Sequence, residues 1–270
     1  MKIVKKYPDG VFSWVDLTTT DIDGAHAFYS DLFGWEPDPQ PLPGGGSYTN
    51  FRINGYSVAG GGQMMEDMQA SGAPSVWVSY VNHSDIDAVA ASATEAGGVV
   101  FMPPMDIMDQ GRMALIQDPT GAAFGVWQPA LHTGAQLVNQ PNTLVWNELQ
   151  TRNREAAGAF YNKVFGWSAR TDESSGYVMW QDGDRVHCGA MELDATWGDA
   201  PSHWLVYFQV EDVDAYVARA TELGGSVAAG PMPAGELGRM AVIADPQGAH
   251  FAVIKFNGPS DEPPGVVVEE

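Results

Sequence analysis

AFYSDLFGW, at residues 27–35, recurs as AFYNKVFGW at 159–167 with six of nine positions identical. A second echo follows the first. GRMALIQDPTGAAFGVWQ (111–128) returns as GRMAVIADPQGAHFAVIK (238–255), with 11 of 18 positions identical. Repetition at this scale means a duplicated structural unit, here of about 120 residues. The first pair is 132 residues apart and the second 127. The five-residue difference predicts a loop present only in the first copy, and PDPQPLPGGGSY (37–48) is the candidate.

Each copy divides again. In the first, strand-like FSWVDLT precedes DIDGAHAFYSDLFG, where Ala25, Phe28 and Leu32 recur at helical spacing and Gly34 supplies a stop. Two short strand patterns follow, YTNFRI and YSVAGGGQM. The order then restarts with SVWVSYV, a helix capped by Asp85, and the strands VVFM, RMALIQD and AFGVWQ. The second copy repeats the series. The prediction is an α+β chain of four βαβββ modules. Residues 1–130 form one domain, 131–143 a linker, 144–257 a second domain and 258–270 an acidic flexible tail.

Composition narrows the partners. The chain has 270 residues, a formal net charge of −21 and a pI near 4.3. Nucleic-acid binders carry basic patches, and anionic membranes attract basic segments, so neither partner is expected. No apolar run is long enough to span a bilayer, and MKIVKKYPDG lacks an apolar signal core. The expected location is the cytoplasm. Cys188 is the single cysteine and excludes an intramolecular disulfide. It reads as a packing residue.

The motifs resemble those of the vicinal oxygen chelate superfamily, also called the glyoxalase/bleomycin-resistance/extradiol-dioxygenase fold. The resemblance rests on D-x6-FY…FGW, on D-[IV]-D-A…GG and on DP-x-G near each domain's end, and covers nearly all of residues 11–256. It implies two cup-shaped domains, each built from two modules, with the repeated helix on the back of each cup.

Many members of that family hold a divalent ion with His and Glu side chains. The resemblance places those ligands at Trp14, Val78 and Gly125 in the first domain, and at Trp146, Leu205 and Ala252 in the second. None of these side chains can ligate a metal, so neither a metal nor another cofactor is expected. A displaced set, Glu148, His203 and His250, contains two imidazoles and a carboxylate. Glu148 and His203 are shifted in opposite directions along strands related by a pseudo-twofold axis, which sends them toward opposite ends of the pocket.

Strand alternation lists what lines the cups instead. Trp14, Asp16, Tyr80 and Trp127 face the first; Trp146, Glu148, His203, Tyr207 and His250 face the second. Aromatic walls with one acid suit a flat, cationic organic molecule. Tryptophans on inner strands also serve as plain core. Met64, Met65 and Met68, and Met102, Met105 and Met108, form two further clusters, suited either to an irregular apolar ligand or to gap filling. Arg112 and Arg239 read as braces for the acidic residues before them, Asp106 and Asp109, or Glu236.

Three functions compete. The first is a binding protein that sequesters an aromatic or cationic natural product, acting as a monomer or homodimer. The second is a cofactor-free enzyme in which Asp16 or Glu148 is the general base. The third is a metal-dependent lyase or dioxygenase, which the ligand positions disfavour.

Overall fold

The computed structural model describes residues 3–43, 45–173, 176–183, 185–235 and 237–257. The acidic tail 258–270 and Glu236 lie outside the described residues. In the first domain β1 (Val11–Thr19), α1 (Ile22–Phe33), β2 (Glu36–Pro41), β3 (Ser47–Ile53) and β4 (Tyr56–Gln63) form one module. A short helix, α2 (Glu66–Ala70), leads into the second: β5 (Val76–Asn82), α3 (Ile86–Glu95), β6 (Val99–Ile107), β7 (Gly111–Gln117) and β8 (Ala123–Pro129).

The second domain repeats the plan. It contains β9 (Leu144–Thr151), α4 (Arg154–Phe165), β10 (Ser168–Thr171), β11 (Val178–Asp182) and β12 (Arg185–Glu192). Then come β13 (His203–Gln209), α5 (Val213–Glu222), β14 (Ser226–Ala234), β15 (Gly238–Ala244) and β16 (His250–Phe256). Each half forms one eight-stranded sheet, in the orders β2-β3-β4-β1-β5-β8-β7-β6 and β10-β11-β12-β9-β13-β16-β15-β14. The two modules of each sheet meet along an antiparallel seam, β1 with β5 and β9 with β13.

Local chemistry sets the helix ends. Asp21, Asp85, Asn153 and Asp212 each accept a hydrogen bond from the backbone N–H three residues on. Gly34 and Gly166 close the repeated helices at φ 70° and 74°, a left-handed conformation that favours glycine. The five-residue difference is not one loop. The offset between copies falls from 132 at the FGW motifs to 129 at Gly60 and Gly189, where β2 and β3 pair over six residues and β10 and β11 over four, and to 127 at Asp85 and Asp212, beyond the segment that joins β4 to β5. Prolines sit on three of the four sheet edges, in β2, β6 and β14, and the fourth edge, β10, is only four residues long.

The repeated segments do more than cover their own cups. On α1, Phe28, Tyr29 and Phe33 pack with Phe251 of the second domain, and Phe33 also meets Phe208. The Tyr29 hydroxyl accepts from Trp77 Nε1 (3.0 Å) and donates to Asp245 Oδ2 (2.9 Å). The same arrangement runs the other way. Tyr161 accepts from Trp204 Nε1 (2.8 Å) and donates to Asp118 Oδ2 (3.0 Å). Asp118 and Asp245 are the acids of the two DP-x-G turns, whose own backbone N–H groups they also accept. The tryptophans of the two FGW motifs cross over as well: Trp35 donates to Asn142 O and Trp167 to Gly10 O. The domains are therefore joined through the convex backs of their sheets.

The segment expected to link the domains packs into the fold. Ala135, Leu137 and Val138 are buried in a hydrophobic cluster that draws on both domains. Ala135 donates to Ser13 O and Gln136 to Ser57 O. Both repeated arginines brace helices: Arg112 pairs with Asp87 on α3 (2.6 Å) and also with Asp106 on β6 (3.1 Å), and Arg239 pairs with Asp214 on α5 (2.7 Å). Cys188 is fully buried, and burial pushes its thiol pKa well up, which keeps it unreactive.

Removing either bridging hydroxyl strands a buried carboxylate and an indole N–H. Tyr29→Phe and Tyr161→Phe should each cost about 1–3 kcal/mol of unfolding free energy, read from urea denaturation curves. A loss below about 0.5 kcal/mol from both would remove these bridges as determinants of the domain interface.

Candidate functional site

A one-residue irregularity at the start of β1 decides which rings face the cup. Register slips between Phe12 and Trp14. Phe12 consequently packs on the convex side, against Trp167 and Trp204, although it is two residues from Trp14. Trp14 turns to the concave side. The second domain has the same slip at Val145, between Leu144 and Trp146. Such bulges re-aim side chains within a regular strand.

In the first cup Trp14 Nε1 donates to the Tyr48 hydroxyl (3.0 Å), and Tyr48 donates to Asp16 Oδ2 (3.2 Å). Tyr48 reaches this point because β4 carries Gly60 opposite Asp16. A Cβ at Gly60 would overlap the tyrosine hydroxyl. Asp16 is partly buried, and desolvation pushes its carboxyl pKa up to about 7, with the Tyr48 hydrogen bond pulling the other way. Tyr80, opposite Trp14 on β5, fills the space over Gly125. Burial and the charge of Asp16 raise its phenol pKa.

The second cup repeats the geometry with more donors. Trp146 Nε1 donates to Tyr177 (3.0 Å), and Gly189, opposite Glu148, gives that tyrosine its room. Glu148 Oε1 accepts from Tyr207 (3.0 Å) and Gln150 (3.2 Å), and Tyr177 also hydrogen-bonds the carboxylate. Burial raises the Glu148 pKa, against the pull of these three donors.

Sequence reasoning placed Trp14, Asp16, Tyr80, Trp127, Trp146, Glu148 and Tyr207 in the cups, and the structure groups them there. It missed three residues. Tyr48 and Tyr177 each follow a Gly/Ser-rich stretch of sequence, GGGSY and SSGY, a shared signal that was available. His132 gave no signal, since it belongs to the expected linker. That segment returns over the first cup, setting the His132 ring edge-on to Trp14 (4.3 Å) and Trp127 (5.5 Å). Trp127 Nε1 donates to the His132 carbonyl (2.8 Å). Burial and the charge of Arg52 push the His132 pKa down to about 4, so the imidazole is neutral at pH 7.

His203 and His250 are not brought to Glu148. His203 lies opposite Gln150 at the start of β13, its Nδ1 2.9 Å from Pro201 O, and His250 is exposed at the start of β16. Among the described residues no three His, Cys, Asp or Glu side chains form a group able to hold a metal ion. Two surface cavities lie outside both cups. One of about 400 Å³ is lined by Arg154, Trp180 and Glu192, and one of about 390 Å³ by Lys6, Asn82 and Ser84. The first is spanned by the Arg154–Glu192 ion pair.

The model of the Glyoxalase/Bleomycin resistance protein/Dioxygenase superfamily matches residues 11–126 and again 142–253. The chain belongs to this superfamily. It is 44% identical over 254 residues to "Putative glyoxylase CFP32" of Mycobacterium tuberculosis, covering 93% of this chain and 96% of that protein. It is 37% identical over 263 residues to "Anthracycline biosynthesis protein DnrV" of Streptomyces peucetius, covering 93% and 95%. Among solved structures it resembles the Mn(II)-bound glyoxalase from Novosphingobium aromaticivorans, with TM-score 0.64 and 18% identity over 94% of this chain and 83% of that one. It also resembles the 2,3-dioxygenase LapB from Pseudomonas sp. KL28, with TM-score 0.63 and 15% identity over 94% and 96%. These likenesses show the fold.

Superfamily membership brings the metal question to a test on residues. The positions where many members carry ligands hold indole, isopropyl and bare backbone in the first cup, and indole, isobutyl and methyl in the second. The Tyr80 ring also occupies the space over Gly125. This donor set does not fit a divalent ion in either cup.

The raised Asp16 pKa has a stability consequence. An unfolded aspartate titrates near 4, so between about pH 4 and 7 the folded state binds the extra proton. The stabilising contribution is complete below about pH 4 and is lost as pH rises through about 7. Asp16→Asn removes that loss. It should raise stability by roughly 1–3 kcal/mol at pH 8 and leave it nearly unchanged at pH 4, as measured by thermal melts across that range. Equal effects at both pH values would contradict a carboxyl held neutral by burial.

Proposed function

We propose that this protein is a metal-independent member of the superfamily that binds a small aromatic organic molecule carrying a positive charge. The observation that carries the reading is the Trp14–Tyr48–Asp16 chain: a carboxylate in an aromatic cup whose metal positions hold no donors. Aromatic faces take a flat ring system, and the carboxylate supplies one directed charge. DnrV is by its name an anthracycline biosynthesis protein, and its similarity along nearly the whole chain supports an aromatic polyketide as ligand.

Acid–base catalysis on such a compound is the second reading. It is favoured by one observation: a carboxyl titrating near 7 with a tyrosine hydroxyl 3.2 Å away is matched to proton transfer at neutral pH. Tyr48 would orient the carboxylate and Asp16 would take the proton.

Doxorubicin, fluorescent and carrying a protonated amino sugar, serves as probe. Saturable binding should survive dialysis against EDTA. Affinity should rise from pH 6 to pH 8 as Asp16 ionises, approaching tenfold per pH unit on the acidic side of 7. Asp16→Asn should weaken binding at least about tenfold at pH 8 and flatten this dependence. Loss of binding with EDTA, or a pH profile unchanged in Asp16→Asn, would refute the reading. Product detected by mass spectrometry with the native protein, and absent with an Asp16→Asn variant that still binds, would establish the catalytic alternative.

A further inference from the structure

We infer that the two cups are not equivalent: the ligand enters the first alone, and a methionine wall there sets the size of ring system accepted. The inference rests on the small-molecule reading above and assigns it to one domain. The 127-residue offset of the GRMA repeat pairs the walls position by position. Val78, Met113 and Leu115 correspond to Leu205, Met240 and Val242. In the second cup these three are 1%, 9% and 8% exposed and form, with Trp146, Tyr207 and Ala252, a closed apolar cluster. In the first, all three remain partly exposed. The aromatic residues of both cups are buried, so the cups differ at these three wall positions.

The carboxylates differ in the same sense. Glu148 is 7% exposed and takes hydrogen bonds from Tyr177, Gln150 and Tyr207, which leaves it little to offer a ligand. Asp16 takes its side-chain bond from Tyr48 and keeps part of its surface open.

The wall follows from register. Met113 is paired with Trp127 on β8 and with Met105 on β6; Met102 is paired with Leu115. Directly paired residues share a face, so three thioethers line the side of the cup that carries Trp127. Met105 is 44% exposed. Its counterpart in the second domain is Met232, but the counterpart of Met102 is Ala229, so the full wall exists once. Flexible, polarizable thioethers fit the face of a broad fused ring without fixing its outline. With Asp16 across the same sheet on β1, beyond β8 and β5, the preferred occupant is a flat polycyclic molecule bearing one cationic group.

Fluorescence titration of the full chain with doxorubicin should give one site per chain. Met105→Ala should weaken it at least about fivefold, and Met232→Ala should leave it within about twofold. Two equal sites, or the reverse ranking of these variants, would overturn the inference. A measurement without ligand separates it from the functional reading. In protein labelled with methyl-¹³C methionine, the soluble nitroxide TEMPOL should broaden the Met113 methyl resonance more than that of Met240. Equal broadening would overturn the asymmetry whether or not doxorubicin binds. Unequal broadening without doxorubicin binding would uphold the asymmetry and count against the proposed ligand class.

Discussion

The molecule depends on a reciprocal bond. A tyrosine from each repeated helix crosses to the turn that ends the other domain and meets a buried aspartate there, Tyr29 with Asp245 and Tyr161 with Asp118. Each hydroxyl is also held by a tryptophan of its own domain's sheet, so three polar groups satisfy one another inside an aromatic seam. Low dielectric makes such a network strong when complete and costly when broken. Because the seam joins convex faces, the concave faces stay free for other chemistry. The repeated FY and FGW segments thus record a constraint between domains as much as within them.

Much of this was legible in the sequence. Duplication, helix caps and period-two alternation gave four modules and the strands on which Trp14, Asp16, Trp146 and Glu148 lie, because those signals are local. What escaped was non-local. The partners of Tyr29 and Tyr161 lie 216 and 43 residues away, and nothing in AFYSDLFGW names them. Tyr48 and Tyr177 reach the carboxylates because glycines on a third strand, Gly60 and Gly189, leave the space open. Reading that needs the register of β4 and β12, which the turns between strands do not reveal. His132 was hidden for another reason: a segment polar enough to pass for a spacer carries Ala135, Leu137 and Val138, which fold it back over the cup.

The cups show how one architecture can exchange one kind of chemistry for another. A shared set of strands presents indole, phenol and carboxyl groups where many relatives present metal ligands. The substitution changes the local electrostatics in kind. A metal would hold nearby carboxylates ionised, whereas the apolar surroundings here push Asp16 toward the neutral acid at pH 7. A cation placed beside it would favour ionisation, and its removal would restore the proton.

Two sheets, with sixteen strands among the described residues, have four borders at which a neighbour's backbone could add itself. Three of these borders contain proline, which has no amide hydrogen to offer: Pro37, Pro39 and Pro41 in β2, Pro103 and Pro104 in β6, Pro231 and Pro233 in β14. The fourth, β10, is too short to template a long ladder. Doubling the domain doubled the number of borders open to fibrillar growth, and the chain carries a separate obstacle at each one. Each border thus disfavours the addition of another strand through covalent structure, independently of the chain's large negative charge.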